Sequence, residues 1–279
     1  MPPDPTPSLH LRWFGLTHVG KVRKNNEDAF LGLCFDGHDV RYLGKTGESA
    51  MDKADFVFAV SDGMGGAQSG EFASRITVEK LTYWLPKSFK VSALGMTVNH
   101  SEVLQEIFHS IHNEINRLGR SYEECRDMGT TLSLCWFTPE RVFFGHIGDS
   151  RIYHLPKSGG LRQLTQDHTH VGWLFRQGKI NEREARHHPM KNVLNQALGA
   201  GRQIIDPQIG AVVFEPGDRF LICSDGLIDG LWDHHLDDFL REAPADKNPA
   251  ERLIAEALER SGRDNLTALV IETVASEPS

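Results

Sequence analysis

The sequence has 279 residues, 39% of them hydrophobic, with 38 acidic against 30 basic side chains and a net charge of −8. That is enough apolar material for one large packed domain, and the acidic balance excludes a nonspecific nucleic-acid binder, which would be basic. No apolar run reaches the roughly 18 residues of a membrane helix, and proline-rich Met1–Ser8 lacks the pattern of a secretory signal. The expectation is a cytoplasmic protein with a disordered lead over residues 1–10 and one domain over 11–275. Cys34, Cys125, Cys135 and Cys223 form no C-x-x-C pair. They read as free thiols in a reducing compartment, not as zinc ligands.

In chain order, Leu11–Thr17 and Ala29–Phe35 read as strands, Val40–Leu43 as an additional short one, and the polar stretch Gly44–Asp55 as a surface hairpin or loop. Phe56–Val60 is a short apolar run ending at Ser61-Asp62-Gly63, a length that suits a buried strand. A glycine-rich turn leads into a helix over about Ser69–Leu85, with Ser69 as a candidate cap. Leu104, Ile107, Phe108, Ile111, Ile115 and Leu118 recur at three- and four-residue spacing and predict a second helix. Thr130–Phe137, Arg141–Ile147 and Arg151–Leu155 follow as strands, separated by turns at 138–140 and at Gly148-Asp149-Ser150.

His170–Gln177 and Asn181–His187 read as short helices, and Val212–Phe214 and Arg219–Cys223 as strands about a Pro216-Gly217-Asp218 turn. Asn248 before Pro249, with Glu251 close behind, opens a helix carrying Leu253, Ile254, Ala257 and Leu258 on one face. Leu266–Thr273 is the last strand. Blocks of strands alternating with blocks of helices predict α+β layers with mainly antiparallel sheets, not a doubly wound fold.

The strongest chemical signal is doubled. An apolar strand ends in Ser-Asp-Gly at Ser61-Asp62-Gly63 and again at Ser224-Asp225-Gly226. Asp149 follows another strand, Asp264 directly precedes the last one, and Glu27 and Asp28 immediately precede Ala29–Phe35. Strand ends hold side chains in fixed positions, and glycine lets backbone approach a ligand closely. Oxygen-only ligands select hard cations such as magnesium and manganese. Asp-Gly is also a good turn dipeptide on its own; the repetition at strand ends is what favours a metal site.

Other motifs fail. Gly63-Met64-Gly65-Gly66 lacks dinucleotide-loop spacing, because Gln68 stands where a third glycine belongs. Gly44-Lys45-Thr46 lacks the P-loop glycine, its place being taken by Asp39. No H-E-x-x-H occurs, and His187-His188 reads as a polar helix end.

The ordered set of motifs resembles the protein phosphatase 2C family, its bacterial branch in particular. The residues are Arg23-Lys24-Asn25-Asn26-Glu27-Asp28, Asp62-Gly63-Met64-Gly65-Gly66, Met128-Gly129-Thr130-Thr131, Gly148-Asp149-Ser150-Arg151 and Thr165-Gln166-Asp167-His168-Thr169. Asn192-Val193-Leu194 through Ala197-Leu198-Gly199, Ser224-Asp225-Gly226-Leu227 and Asp264-Asn265-Leu266-Thr267 complete it, so the resemblance runs from about Gly15 to Ile271. It implies a four-layer α-β-β-α sandwich, two antiparallel sheets flanked by helices, with metals in a cleft at one edge of the sheets.

Carried over by motif, Asp62 bridges two Mn2+ or Mg2+ ions. The Gly63 carbonyl serves one of them, with Glu27 nearby or acting through water, and Asp225 and Asp264 complete the other site. Asp149, with Asp225 and Asp229, is the candidate set for a third ion; the competing reading has Asp149 and Arg151 bracing a turn. Arg23 grips the substrate phosphate, for which a guanidinium fork is suited. Asp28 positions Arg23 or a metal-bound water, and Asn265 orients solvent or the Asp264 loop.

The resemblance implies a serine/threonine phosphatase that works by direct attack of a metal-bridging hydroxide, without a phosphoenzyme. It acts on phosphorylated proteins opposite a Hanks-type kinase, as a monomer, with no nucleic-acid or membrane partner. Met64 stands where animal members carry a histidine proposed as general acid, and a thioether delivers no proton. Residues 168–191 resemble the family's flap, where Trp173, Phe175 and Arg176 contact substrate protein or Trp173 packs in the core. A phosphatase-like binding module would have lost a metal carboxylate, and none is lost. A nuclease would carry a basic, aromatic stripe.

Overall fold

The computed structural model describes residues 9–36, 39–51, 54–93, 99–242 and 248–275. Strands β1 (Leu9–His18), β2 (Asp28–Phe35), β3 (Val40–Tyr42), β4 (Thr46–Ala50) and β5 (Asp55–Met64) come first, then α1 (Ala67–Ala93) and α2 (His100–Ser121). β6 (Gly129–Thr130), β7 (Leu132–Phe137), β8 (Val142–Ile147), β9 (Arg151–Leu155) and β10 (Arg162–Gln163) precede α3 (His170–Arg176) and α4 (Glu182–His187). β11 (Leu198–Gly199), β12 (Gln208–Val212) and β13 (Arg219–Cys223) lead to α5 (Asp225–Gly230), α6 (Asp233–Arg241) and α7 (Pro249–Arg260), and β14 (Leu266–Ala275) closes the fold.

One sheet runs β10-β9-β13-β14-β1-β4; the other runs β11-β6-β5-β7-β8-β12, with β2 and β3 alongside β5. Each strand pairing is antiparallel. Three apolar cores separate four layers. Leu81, Leu104, Phe108, Ile111 and Ile115 of α1 and α2 cover Val57, Ala59, Leu134 and Trp136 on one sheet. Phe56, Phe58, Val60, Phe137, Phe220, Ile222 and Ile271 fill the space between sheets. Leu227, Leu236, Leu253 and Ile254 of α5–α7 cover Leu221, Cys223, Ala268 and Val270. β5 sends alternate side chains into two of these cores, which is why it reads as a continuous apolar run. The four-layer α-β-β-α arrangement is the one the family resemblance implied.

The structure corrects several element boundaries. Leu9 and His10, assigned from sequence to the lead, are already strand, with Leu9 opposite Ala275; residues 1–8 fall outside the described residues. The polar stretch after Leu43 contains an edge strand, β4, paired with β1. Its residues lack apolar alternation, so only the pairing reveals it: Gly47 lies flat against the Trp13 indole, and Trp13 Nε1 donates to the Gly44 carbonyl at 3.0 Å. Ser69 caps nothing; it lies inside α1 and donates to the Glu124 carbonyl at 2.7 Å.

Helix α1 also runs past the expected end at Leu85, with Pro86 in its interior. Burial of Leu81 and Leu85 against the sheet holds that turn helical despite the bond a proline removes. A strand over Val212–Phe214 was expected; β12 ends at Val212 because its partner β8 begins opposite it at Val142. All four cysteines are buried and free.

Candidate active site

The site is built where strand ends meet turns along one edge of the paired sheets. Asp62 lies near the end of β5, in register with Asp28 at the start of β2. Its backbone is clamped on the other side. Asp62 N donates to Thr131 Oγ1 at 3.0 Å, and the Asp62 carbonyl accepts from Thr131 N at 2.8 Å and from Thr130 Oγ1 at 2.7 Å. Thr131 Oγ1 also lies 2.7 Å from Ser150 Oγ, so one buried hydroxyl joins the Asp62 strand to the Asp149 turn.

That turn is fixed further by two histidines. His146 Nε2 faces the carbonyls of Gly148 and Gln166 at 3.1 and 3.2 Å, which requires the proton on that nitrogen. Gly148 N donates to His168 Nδ1 at 3.1 Å while His168 N donates to the Gly148 carbonyl at 2.7 Å. Gly148 sits at φ 113°, beyond the reach of most side chains. Arg151 forms a two-pronged pair with Asp167 at 2.9 and 2.7 Å.

Glycine allows the closest approaches. A Cβ on Gly63 would drive into the Gly70 carbonyl, and one on Gly226 into the Asn265 carbonyl. Asn265, 5% exposed, ties its own loop to the connection between β1 and β2 at three points. Its Oδ1 accepts from Glu27 N at 2.8 Å, and its Nδ2 donates to the carbonyls of Val19 and Asn25, both at 2.9 Å.

Glu27, Asp62, Gly63, Asp149, Asp225, Asp264, Asn265 and Arg23 thereby line a single cleft. Asp28 is buried behind its wall. Asp229 lies outside the cleft, in an adjoining cavity that shares Asp149 and Asp225.

Crowded carboxylates with little water resist ionisation. Burial first, then neighbouring aspartates, push Asp62 and Asp225 well above the usual carboxylate range. Burial raises Asp149 to about 7, against the opposing pull of Arg151. It raises Asp28 to about 6, against the lowering effect of hydrogen bonds from Thr267 and Ser224. Glu27 is also raised by burial.

Two of the expected ligands already carry a cation of the protein. Arg23 Nη2 lies 2.8 Å from Asp264 Oδ2, which raises the arginine further, and Lys191 Nζ pairs with Asp229. Among the described residues, no three His, Cys, Asp or Glu side chains stand close enough together to hold a metal ion. The donor set nevertheless suits hard divalent cations: every donor is oxygen, the carboxylates repel one another, and Asp28 Oδ1 is buried without a hydrogen-bond partner.

Comparison with known proteins decides what kind of site this is. The family described as Protein phosphatase 2C matches residues 45–269. The serine/threonine phosphatase stp of Listeria monocytogenes is 32% identical over 258 residues, 92% of this chain and 93% of the relative. The chain belongs to the protein phosphatase 2C family, in its bacterial branch. It is a metal-dependent serine/threonine phosphatase.

Among solved structures, the Mycobacterium tuberculosis serine/threonine phosphatase PstP/Ppp superposes with a TM-score of 0.77 at 31% identity, covering 96% of this chain and 100% of its own. A crystal structure of the PstP catalytic domain in complex with two manganese ions gives 0.76 at the same identity and coverage.

In this 2C-family chain, residues 168–191 form α3 and α4 between two pinned ends: Thr169 bridges Leu194, and Asn195 N donates to the His168 carbonyl at 2.7 Å. Arg186 fastens α4 to α5 through the carbonyls of Ile228 and Leu231, with its guanidinium over the Trp232 ring. Trp173 and Phe175 are 42% and 46% exposed, so Trp173 is not a core residue. Arg176 donates to the Asp167 carbonyl at 3.0 Å. No helix among the described residues is long and apolar enough to cross a membrane.

The parts played by Ser61, Thr130, Thr131, Ser150, Ser224, Thr267, His146 and His168 emerge only from the structure. The available signal was the serine in both Ser-Asp-Gly repeats and the threonine pair at 130–131, each polar inside an apolar stretch.

Proposed function

We propose that this chain hydrolyses phosphoserine and phosphothreonine in proteins directly, without a phosphoenzyme, using Mn2+ or Mg2+ held in the carboxylate cleft. Asp62, the Gly63 carbonyl and, directly or through water, Glu27 would hold one ion; Asp62, Asp225 and Asp264 would hold the other. Asp149, Asp225 and Asp229 are the weaker set for a third. Such ions acidify water and neutralise phosphoryl charge. Arg23 binds the phosphoryl oxygens from the rim, its guanidinium oriented by Asp264. Asn265 keeps the Glu27 and Asp264 loops at fixed separation. Met64 supplies no proton to the leaving group.

The flap over residues 168–191 offers exposed Trp173 and Phe175 to the protein part of the substrate. The whole is one catalytic domain, working in the cytoplasm opposite a Hanks-type kinase. The observation that carries this reading is the convergence of carboxylates from five separate segments on one cleft with an arginine at its rim. The two manganese ions of the related PstP domain support it. Hydrolysis of a phosphothreonine peptide, followed against manganese concentration for the wild type and Asp62→Asn, tests it. Turnover without metal, or an unaffected variant, would sink it.

A further inference from the structure

Ser224 occupies the N-cap position of α5, with extended dihedrals at φ −79° and ψ 166°, yet its side chain makes no capping bond. A serine there ordinarily accepts from an amide of the first helical turn. Instead its hydroxyl donates to Asp28 Oδ2 at 2.7 Å and accepts from Thr267 N at 3.0 Å. Thr267 Oγ1 donates to the same Asp28 oxygen at 2.7 Å.

With Asp28 ionised, one order of protons fits this network. Thr267 has one hydroxyl proton and gives it to Asp28, so in its 2.8 Å contact with Thr17 Oγ1 the Thr17 hydroxyl must be the donor. Thr17 in turn accepts from Asn26 Nδ2 at 2.8 Å. Asn26 Oδ1 accepts from Asp28 N at 3.2 Å, closing the circuit. Ser224 and Thr267 are both fully buried. Two donors therefore converge on Asp28 Oδ2, and Oδ1 is left as an open, buried acceptor on the residue paired with Asp62.

We propose that Ser224 and Thr267 are positioning residues for metal binding: their hydroxyls lock Oδ2 of Asp28 so that Oδ1 is presented to the hydrated cation pair. The serine of the second Ser-Asp-Gly thus serves a carboxylate on another strand, 196 residues away, while its neighbour Asp225 lines the cleft itself. The inference rests on the metal-dependent reading above.

Manganese titration by calorimetry on the full chain, without substrate, tests it. Partners behind metal ligands typically change affinity about 10- to 100-fold when removed. Thr267→Val keeps the shape and deletes the hydroxyl, and should weaken manganese binding about tenfold. Thr267→Ser keeps the hydroxyl and should bind within about twofold of wild type, a rescue that a merely packing role would not give. Ser224→Ala should act like Thr267→Val, and the double variant should approach the upper end of that range. If the double variant does not fold, as judged by circular dichroism, the Thr267→Val and Thr267→Ser pair decides the matter. Equal affinity of Thr267→Val, Thr267→Ser and wild type overturns the inference alone. A wild type that binds no manganese, or that Asp62→Asn matches, overturns the metal-dependent reading and the inference with it.

Discussion

The two Ser-Asp-Gly turns share a sequence but not a structure. At the first, β5 continues through Asp62 and Gly63 to Met64, so the carboxylate projects from a paired strand. At the second, β13 stops at Cys223 and Asp225 begins a helix. Ser61 turns inward to Thr130 and to the Thr131 carbonyl, at 2.7 and 2.8 Å. Ser224 reaches across the sheet edge to Asp28. By leaving α5 uncapped, Ser224 forgoes about 1 kcal/mol of local helix stability. Identical tripeptides therefore acquire different tasks from their neighbours: Ser61 holds the wall of its own strand, whereas Ser224 serves the site from a distance.

Substituting the aspartates should separate the turns most. Asp62→Asn should abolish phosphothreonine hydrolysis, by more than about 100-fold, beyond rescue by excess manganese, since partners behind metal ligands alone change activity 10- to 100-fold. Asp225→Asn should lose activity comparably at low manganese and recover part of it as manganese is raised. Recovery of both variants, or of neither, would make the turns equivalent and remove the assignment of Asp62 as the bridge.

The glycines should come next. Gly63→Ala and Gly226→Ala each force a methyl into a backbone carbonyl, of Gly70 and Asn265 respectively. Each should lower stability by about 1–3 kcal/mol in denaturant melts. Ser61→Ala should cost about 1–3 kcal/mol, because it strips hydrogen bonds from a buried threonine and carbonyl. Its effect on manganese affinity should be smaller than that of Ser224→Ala. The opposite ranking would reverse the division of labour between the serines.

The last comparison concerns pH. Asp28 and Asp55 titrate at about 6 and Asp149 at about 7, raised by burial above the ordinary value of 3.8. The folded chain therefore holds these protons more tightly than the unfolded chain. The metal-free protein should gain stability as pH falls through these values and lose it as pH rises through about 6 to 7. Manganese should abolish the part due to Asp28 and Asp149. Asp55, bonded to Trp136 Nε1 at 2.8 Å and absent from the cleft, should be indifferent to manganese. Its contribution should vanish in Asp55→Asn. Melting temperatures across pH, with and without metal, read out both parts.

Much of this molecule was legible in the chain. The apolar stripe of α2, the run Phe56–Val60 and the Asn248-Pro249 start of α7 each carry a local cause, and each element formed close to where that cause puts it. β4 was not legible, because Gly47 and its polar neighbours become a strand only by lying against β1 and Trp13. α5 was not legible either. Asp225-Gly226-Leu227-Ile228-Asp229-Gly230 carries two glycines, and its helix exists because Gly226 and Gly230 let it press on the Asn265 and Ala257 backbones.

By itself, then, the sequence determined which side chains could do chemistry: acidic residues placed where apolar strands end, in an order shared with a known family. Period and punctuation are local properties, so the chain carries them openly. Only the tertiary structure decided what each group touches. Asp28 receives its hydroxyls from Ser224 and Thr267, Arg23 rests on Asp264, and Asp229 stands outside the cleft with Lys191. Those pairings join segments as far as 241 residues apart. They are fixed by the packing of two sheets, which no local pattern encodes.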